Sequence, residues 1–76
     1  MFERNNENYI YQMVSKNIKK QRKLKGLTQQ QLAEKMNYST QFISNIESKT
    51  HQTFSLGTLW KIAQVLDIDI KKLFEE

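Results

Sequence analysis

Six cations fall within ten consecutive positions, Lys16, Lys19, Lys20, Arg22, Lys23 and Lys25, half of the chain's 12 Lys and Arg residues. No Asp or Glu lies between Glu7 and Glu34 to neutralise them. Such a run attracts a polyanion and speeds its encounter, although a solvated lysine-rich helix face has the same composition. The net charge of +4 agrees in sign. The last ten residues reverse the pattern, with Asp67, Asp69, Glu75 and Glu76 against Lys71 and Lys72, so one end of the chain repels phosphate while another attracts it. Covalent chemistry is poorly served. There is no cysteine for a disulfide or a thiolate metal site, and one histidine, His51, where metal clusters use several. No nucleophile–base pair or pair of carboxylates stands at a meaningful spacing. We therefore expect no catalytic activity, no metal and no cofactor, and we read His51 as a solvated loop residue rather than a phosphate ligand.

Seventy-six residues support one domain, because a chain of this length buries only about 60% of its unfolded surface. No segment approaches the roughly 20 apolar residues of a membrane span, and the polar start MFERNNENY is unlike a secretion signal. The expectation is a protein of the cytoplasm without a membrane partner. Proline is absent and glycine occurs twice, so breaks between elements must come from Asn, Ser, Thr and those glycines. Ile10, Val14 and Ile18 recur at i+4 spacing and predict an amphipathic first helix stopped by Gly26 in a left-handed cap. Thr28, with Gln31 three residues on, predicts a capping box for a second helix near 29–36, burying Leu32, Ala33 and Met36. Asn37 tolerates positive φ and suits a tight turn, after which Ser39 caps a third helix with Ile43 and Ile46 inward. Residues 49–54 read as a loop. Ser55 then caps a fourth helix with Leu56, Leu59, Ile62, Ala63 and Leu66 on its inner stripe, and 70–74 suggests a short fifth. Residues 1–8 show no pattern and are expected to form a flexible tail, leaving 9–76 as the folded domain.

The informative segment is 29–47. Two closely crossing helices need a small residue at the contact, which Ala33 supplies; the turn needs Asn37; the second helix of the pair needs a buried apolar residue facing the first, which is Ile43. Leu32, Met36 and Ile46 complete the wedge. Each match is weak alone, but their joint spacing is a strong helix-turn-helix signal. Here the sequence resembles the lambda-repressor-like, Xre-type regulators, in LTQQQLAEKMNYSTQFISNIE (27–47) and in SLGTLWKIAQVL (55–66). The likeness covers about residues 10–74. It implies an all-α fold, a compact five-helix bundle whose third helix lies in the major groove and whose two subunits bind a pseudo-palindromic operator.

Carried over residue by residue, the resemblance implies that Gln29 bonds a backbone phosphate; Ser39 and Lys49 are further phosphate-binding candidates by residue type and place. It also implies that Thr40, Gln41, Ser44 and Asn45 face base edges. The chemistry agrees, since Gln and Asn can pair bidentately with adenine and Ser or Thr can serve either kind of base. Phe42 is a candidate for contact with a thymine methyl or a sugar. Arg22 and Glu47 are implied to form a partly buried ion pair between the first helix and the end of the third. Lys49 stands where relatives usually have glycine, Phe54 where proline is common, and the loop is one residue longer than usual.

Trp60 alternates with the inward Leu59 and Ile62, so its ring is expected partly on the surface. With Ile68, Ile70 and Phe74 it offers apolar area for a homodimer, though the same residues would also complete a monomer core. The expected function is a sequence-specific transcriptional regulator, a repressor or controller, that binds double-stranded DNA as a dimer and is controlled by its own concentration or a partner. The alternative is an interaction module such as an antitoxin, covering a toxin, polymerase or other protein partner through its apolar C-terminal face.

Overall fold

The computed structural model describes residues 8–48 and 54–76. Helix α1 spans Asn8–Leu24, α2 Gln29–Met36, α3 Thr40–Glu47 and α4 Leu56–Leu66, followed by a 3-10 helix over Ile70–Phe74. There is no strand among the described residues. The described residues hold four α-helices and not five, because the short fifth helix expected over 70–74 is a 3-10 helix. Asp69 caps it by accepting from the Lys71 N–H at 3.0 Å, and the Lys72 N–H closes on the Asp69 carbonyl at 2.9 Å. Five residues suffice for such i→i+3 closures but give little room for an α-helical ladder to offset its costly nucleus.

Three helices end by one device. Gly26, Asn37 and Asp67 adopt left-handed φ values of 74°, 61° and 57°. After each, the next N–H returns to a carbonyl five residues back: Leu27 to Arg22 at 3.1 Å, Tyr38 to Ala33 at 2.9 Å and Ile68 to Ala63 at 3.0 Å. These double closures satisfy the orphan carbonyls of the last turn and reverse the chain within two residues. The helix starts are equally local. Thr28, Ser39 and Ser55 each accept from the N–H three residues on, and Gln31 reaches back to the Thr28 N–H at 2.8 Å to complete the capping box.

Between these stops, one stripe of each helix meets at a common centre. Met13, Val14 and Ile18 of α1, Leu32, Ala33 and Met36 of α2, Ile43 and Ile46 of α3, and Leu59, Ile62, Ala63 and Leu66 of α4 form the core. Leu73, fully buried, closes it from the 3-10 turn, which packs on α1 and α4. Asn17 ties this closure down from inside: its amide donates to the Leu73 carbonyl at 2.9 Å and the Glu75 carbonyl at 2.6 Å. Phe54 packs edge-on to Tyr11, with centroids 5.5 Å apart.

Two inward expectations are corrected. Ile10 is 39% exposed and Leu56 is 71% exposed. Helical side chains lean toward the N-terminus, so Leu56, the first residue of α4, leans off the end of the packed stripe. Asn8, the last residue of the expected flexible tail, begins α1, and the rest of that stretch, 1–7, lies outside the described residues. None of the helices among the described residues is long and apolar enough to cross a membrane.

Nothing stands within 4 Å of a Cβ built on Gly26, so a substitution there costs backbone strain and no clash. Gly26→Ala should destabilise the fold by about 1–2 kcal/mol and lower Tm by roughly 4–15 °C. Gly26→Asn should recover part of the loss in the same thermal melt.

Candidate nucleic-acid interface

At 100° per residue, the eight positions of α3 divide into two halves. Phe42, Ile43, Ile46 and Glu47 share the inner half, with Ile43, Ile46 and Glu47 buried. Thr40, Gln41, Ser44 and Asn45 share the outer half, the first two exposed and the others half-buried. The four polar side chains expected to face base edges are thus brought together on one surface. Gln41 and Asn45, one turn apart, are hydrogen-bonded, Gln41 Nε2 donating to Asn45 Oδ1 at 2.8 Å. Phe42 is separated from them. Its ring is half-buried against the core and meets Tyr38 edge-on at 4.7 Å between centroids. Lys61 of α4 sets its ammonium 4.7 Å from the centre of the Tyr38 ring, so the turn between α2 and α3 is braced by an aromatic pair and a cation. The i, i+4 spacing of Tyr38 and Phe42 could have been read from the sequence; the reach of Lys61 could not.

What fixes α3 is a buried ion pair. Arg22 Nε donates to Glu47 Oε2 at 2.6 Å and Arg22 Nη2 to Glu47 Oε1 at 3.0 Å, a two-pronged grip between α1 and the last turn of α3. Their side chains are 8% and 2% exposed. The remaining guanidinium nitrogen donates to the Leu27 carbonyl at 2.6 Å, and Gln29 Nε2 to Glu47 Oε1 at 3.1 Å. Charges so desolvated persist only when their hydrogen bonds are satisfied, as they are here. Glu47 thereby gathers α1, α2 and α3 at one point.

The grip alters two expectations drawn from residue type. Arg22 leaves the basic run, since its charge is spent internally; Lys16, Lys19, Lys20 and Lys23 remain as one exposed stripe at i, i+3, i+4 and i+7, opposite buried Ile18, with Lys25 exposed beyond. Gln29, expected at a phosphate, already holds Glu47. An amide nitrogen carries two protons, so one is still available. Ser39 Oγ accepts from the Phe42 N–H at 3.1 Å, leaving its hydroxyl proton free to point elsewhere. Lys49, the third expected phosphate contact, lies outside the described residues, as does His51.

The apolar candidates divide as well. Trp60 is 54% exposed and Phe74 38% exposed, while Ile68 and Ile70 are half-buried against the core. Leu56, one turn before Trp60 on α4, adds the most exposed apolar side chain of that group.

Two short helices joined through a left-handed asparagine, the second braced from within and polar outside, define a helix-turn-helix DNA-binding domain of the lambda-repressor-like, Xre type. The chain belongs to that family: the Helix-turn-helix family pattern matches residues 18–73. Its relatives include the HTH-type transcriptional regulator SinR of Bacillus subtilis (strain 168), 34% identical over 64 residues, and the protein of the same name from Bacillus licheniformis at the same identity. Each alignment covers 84% of this chain and 58% of the relative, so the chain spans little more than half the length of these relatives.

Removing one partner of the ion pair strands the other charge in the interior. Arg22→Met or Glu47→Leu should each cost about 3–5 kcal/mol in urea unfolding. The double replacement should cost clearly less than the sum. Additive losses would mean that the two side chains stand independently.

Proposed function

We propose that this protein is a sequence-specific transcriptional regulator that inserts α3 into the major groove of double-stranded DNA and binds an inverted-repeat operator as a homodimer. The observation that carries the reading is the outer half of α3, four hydrogen-bonding side chains on a helix whose inner half is anchored by Ile43, Ile46 and Glu47. Thr40, Gln41, Ser44 and Asn45 read base edges, and Phe42 holds the turn that aims them. Phosphates are held by the second amide proton of Gln29, the Ser39 hydroxyl, Lys49 and the lysine stripe of α1, which supply affinity without sequence information. The first turns of α2 and α3 add backbone N–H groups and the positive ends of their dipoles.

Dimerisation follows from the C-terminal side. Trp60 and Phe74 leave apolar surface exposed, Leu56 extends it along α4, and the half-buried Ile68 and Ile70 contribute their remaining area. A two-fold pairing places the recognition helices about 34 Å apart, one turn of duplex. The protein acts in the cytoplasm, where it represses or controls transcription. The exposed Leu56 and Trp60 also suit a second reading, an antitoxin-like module that covers a protein partner with this face. Size exclusion of the chain alone and with a candidate partner separates the two.

Gln41→Ala should weaken specific binding by about 1–3 kcal/mol in a gel-shift titration while changing binding to random duplex little. Equal loss on both would remove Gln41 from base reading. A dimer neutralising about six phosphates should lose about a thousandfold in affinity between roughly 50 and roughly 200 mM salt. A flat salt response would favour a protein partner.

A further inference from the structure

The bond between Gln41 and Asn45 restricts what each can offer a base. An amide grips adenine with its carbonyl oxygen, accepting from N6–H, and with one amide proton, donated to N7. That leaves the second proton on the nitrogen unused. In this structure the Gln41 nitrogen donates to Asn45 Oδ1 at 2.8 Å, so one proton is engaged within the helix face while the carbonyl oxygen and the other proton stay available. Gln41 keeps both halves of the adenine grip and gains a brace. Asn45 has the opposite balance. Its Oδ1 gives one of two lone pairs to Gln41 while both Nδ2 protons are free, so it presents mainly donors to the groove. The acceptors that match two free donors are O6 and N7 of guanine or O4 of thymine, whereas a bidentate grip on adenine would require Asn45 Oδ1 to serve Gln41 and adenine N6 together.

Resting on the DNA-reading role above, we infer that Gln41 and Asn45 read the operator as one unit. Gln41 is the adenine reader. Asn45 positions it and separately selects guanine or thymine at an adjacent base pair. The pairing also lowers the side-chain entropy to be lost on binding, because a long glutamine is partly fixed before DNA arrives. Ser44 and Thr40, whose hydroxyls donate and accept equally, carry no such constraint.

Duplex sites selected from a random pool by the unaltered chain define the base preferences. Preference ratios at every position are then measured by competition for Gln41→Ala, Asn45→Ala, Asn45→Asp and the Gln41→Ala, Asn45→Ala double variant. Thermal melts of all four establish that the fold is intact, as expected for side chains on an outer helix face. Asn45→Ala should lower the adenine preference at the Gln41 position by about two- to tenfold, the worth of one exposed hydrogen bond, in addition to erasing the preference at its own. Asn45→Asp retains an oxygen to accept from Gln41. It should therefore restore the adenine preference while losing the guanine or thymine preference at the neighbouring position, even though its charge weakens binding to every duplex. The double variant should lose less than the sum of the single losses. If Asn45→Ala alters one base pair only and leaves the adenine ratio intact, or if Asn45→Asp fails to restore that ratio, the two residues read independently and the coupled unit is overturned. If the unaltered chain selects no sequence at all, the DNA-reading function itself falls, and the coupling with it.

Discussion

The Arg22–Glu47 pair is the constraint on which the rest of the architecture turns. A helix of eight residues is too short to hold its orientation by propensity, and α3 has two fully inserted anchors, Ile43 and Ile46, with Phe42 packed partly against the core. Glu47, in its last turn, fixes the remaining degree of freedom by binding Arg22 of α1 through two hydrogen bonds while accepting a third from Gln29 of α2. A pair this deeply buried adds little net stability compared with well-packed apolar residues, because desolvation consumes most of the Coulomb gain. Its value is directional. An apolar contact tolerates sliding and rotation, whereas a two-pronged guanidinium–carboxylate bond admits one geometry. The outer face of α3 inherits that geometry.

The same economy governs the connections. With no proline and one loop glycine at a helix end, the chain turns three times through left-handed residues, and two of these, Asn37 and Asp67, accept a modest strain that Gly26 avoids. Each closure places an apolar or aromatic residue directly after the turn: Leu27, Tyr38 and Ile68. Leu27 and Ile68 pack against the core, and Tyr38 instead meets Phe42 edge-on beneath Lys61. The turn of the helix-turn-helix is thus set by backbone closure and then held from the side of α4.

Much of this was legible in the sequence because it depends on neighbours. Caps at Thr28, Ser39 and Ser55, the left-handed sites at Gly26 and Asn37, and the buried spacing of Leu32, Ala33, Met36, Ile43 and Ile46 all act within a few residues. The resemblance supplied the long-range partnership of Arg22 and Glu47. What could not be read is long-range and polar: Asn17 reaching the end of the chain, Gln29 turning to Glu47, and Lys61 covering Tyr38. Periodicity also overstated burial at element ends, as Ile10 and Leu56 illustrate, since the pattern carries no information about where a packed stripe stops. Phe42, a candidate for a thymine methyl or a sugar from its position near a helix start, lies half-buried on the same half of α3 as Ile46. Nor does the pattern separate a 3-10 turn from an α-helix over the five residues 70–74, where both place Leu73 inward.

Two kinds of surface thus have different characters: a polar face on α3 held from behind, and the exposed apolar side chains Leu56 and Trp60 on α4 and Phe74 beyond it. The first of these is the face proposed to meet DNA. Titration of the isotopically labelled protein with a selected duplex, followed by NMR shifts of backbone and side-chain amides, tests it most directly. If α3 enters the groove, the largest changes fall at Thr40, Gln41, Ser44 and Asn45 and at the side-chain amide of Gln29, with Ile18 and Leu73 unmoved. Changes confined to Leu56, Trp60 and Phe74, with the amides of Gln41 and Asn45 unaffected, would contradict it.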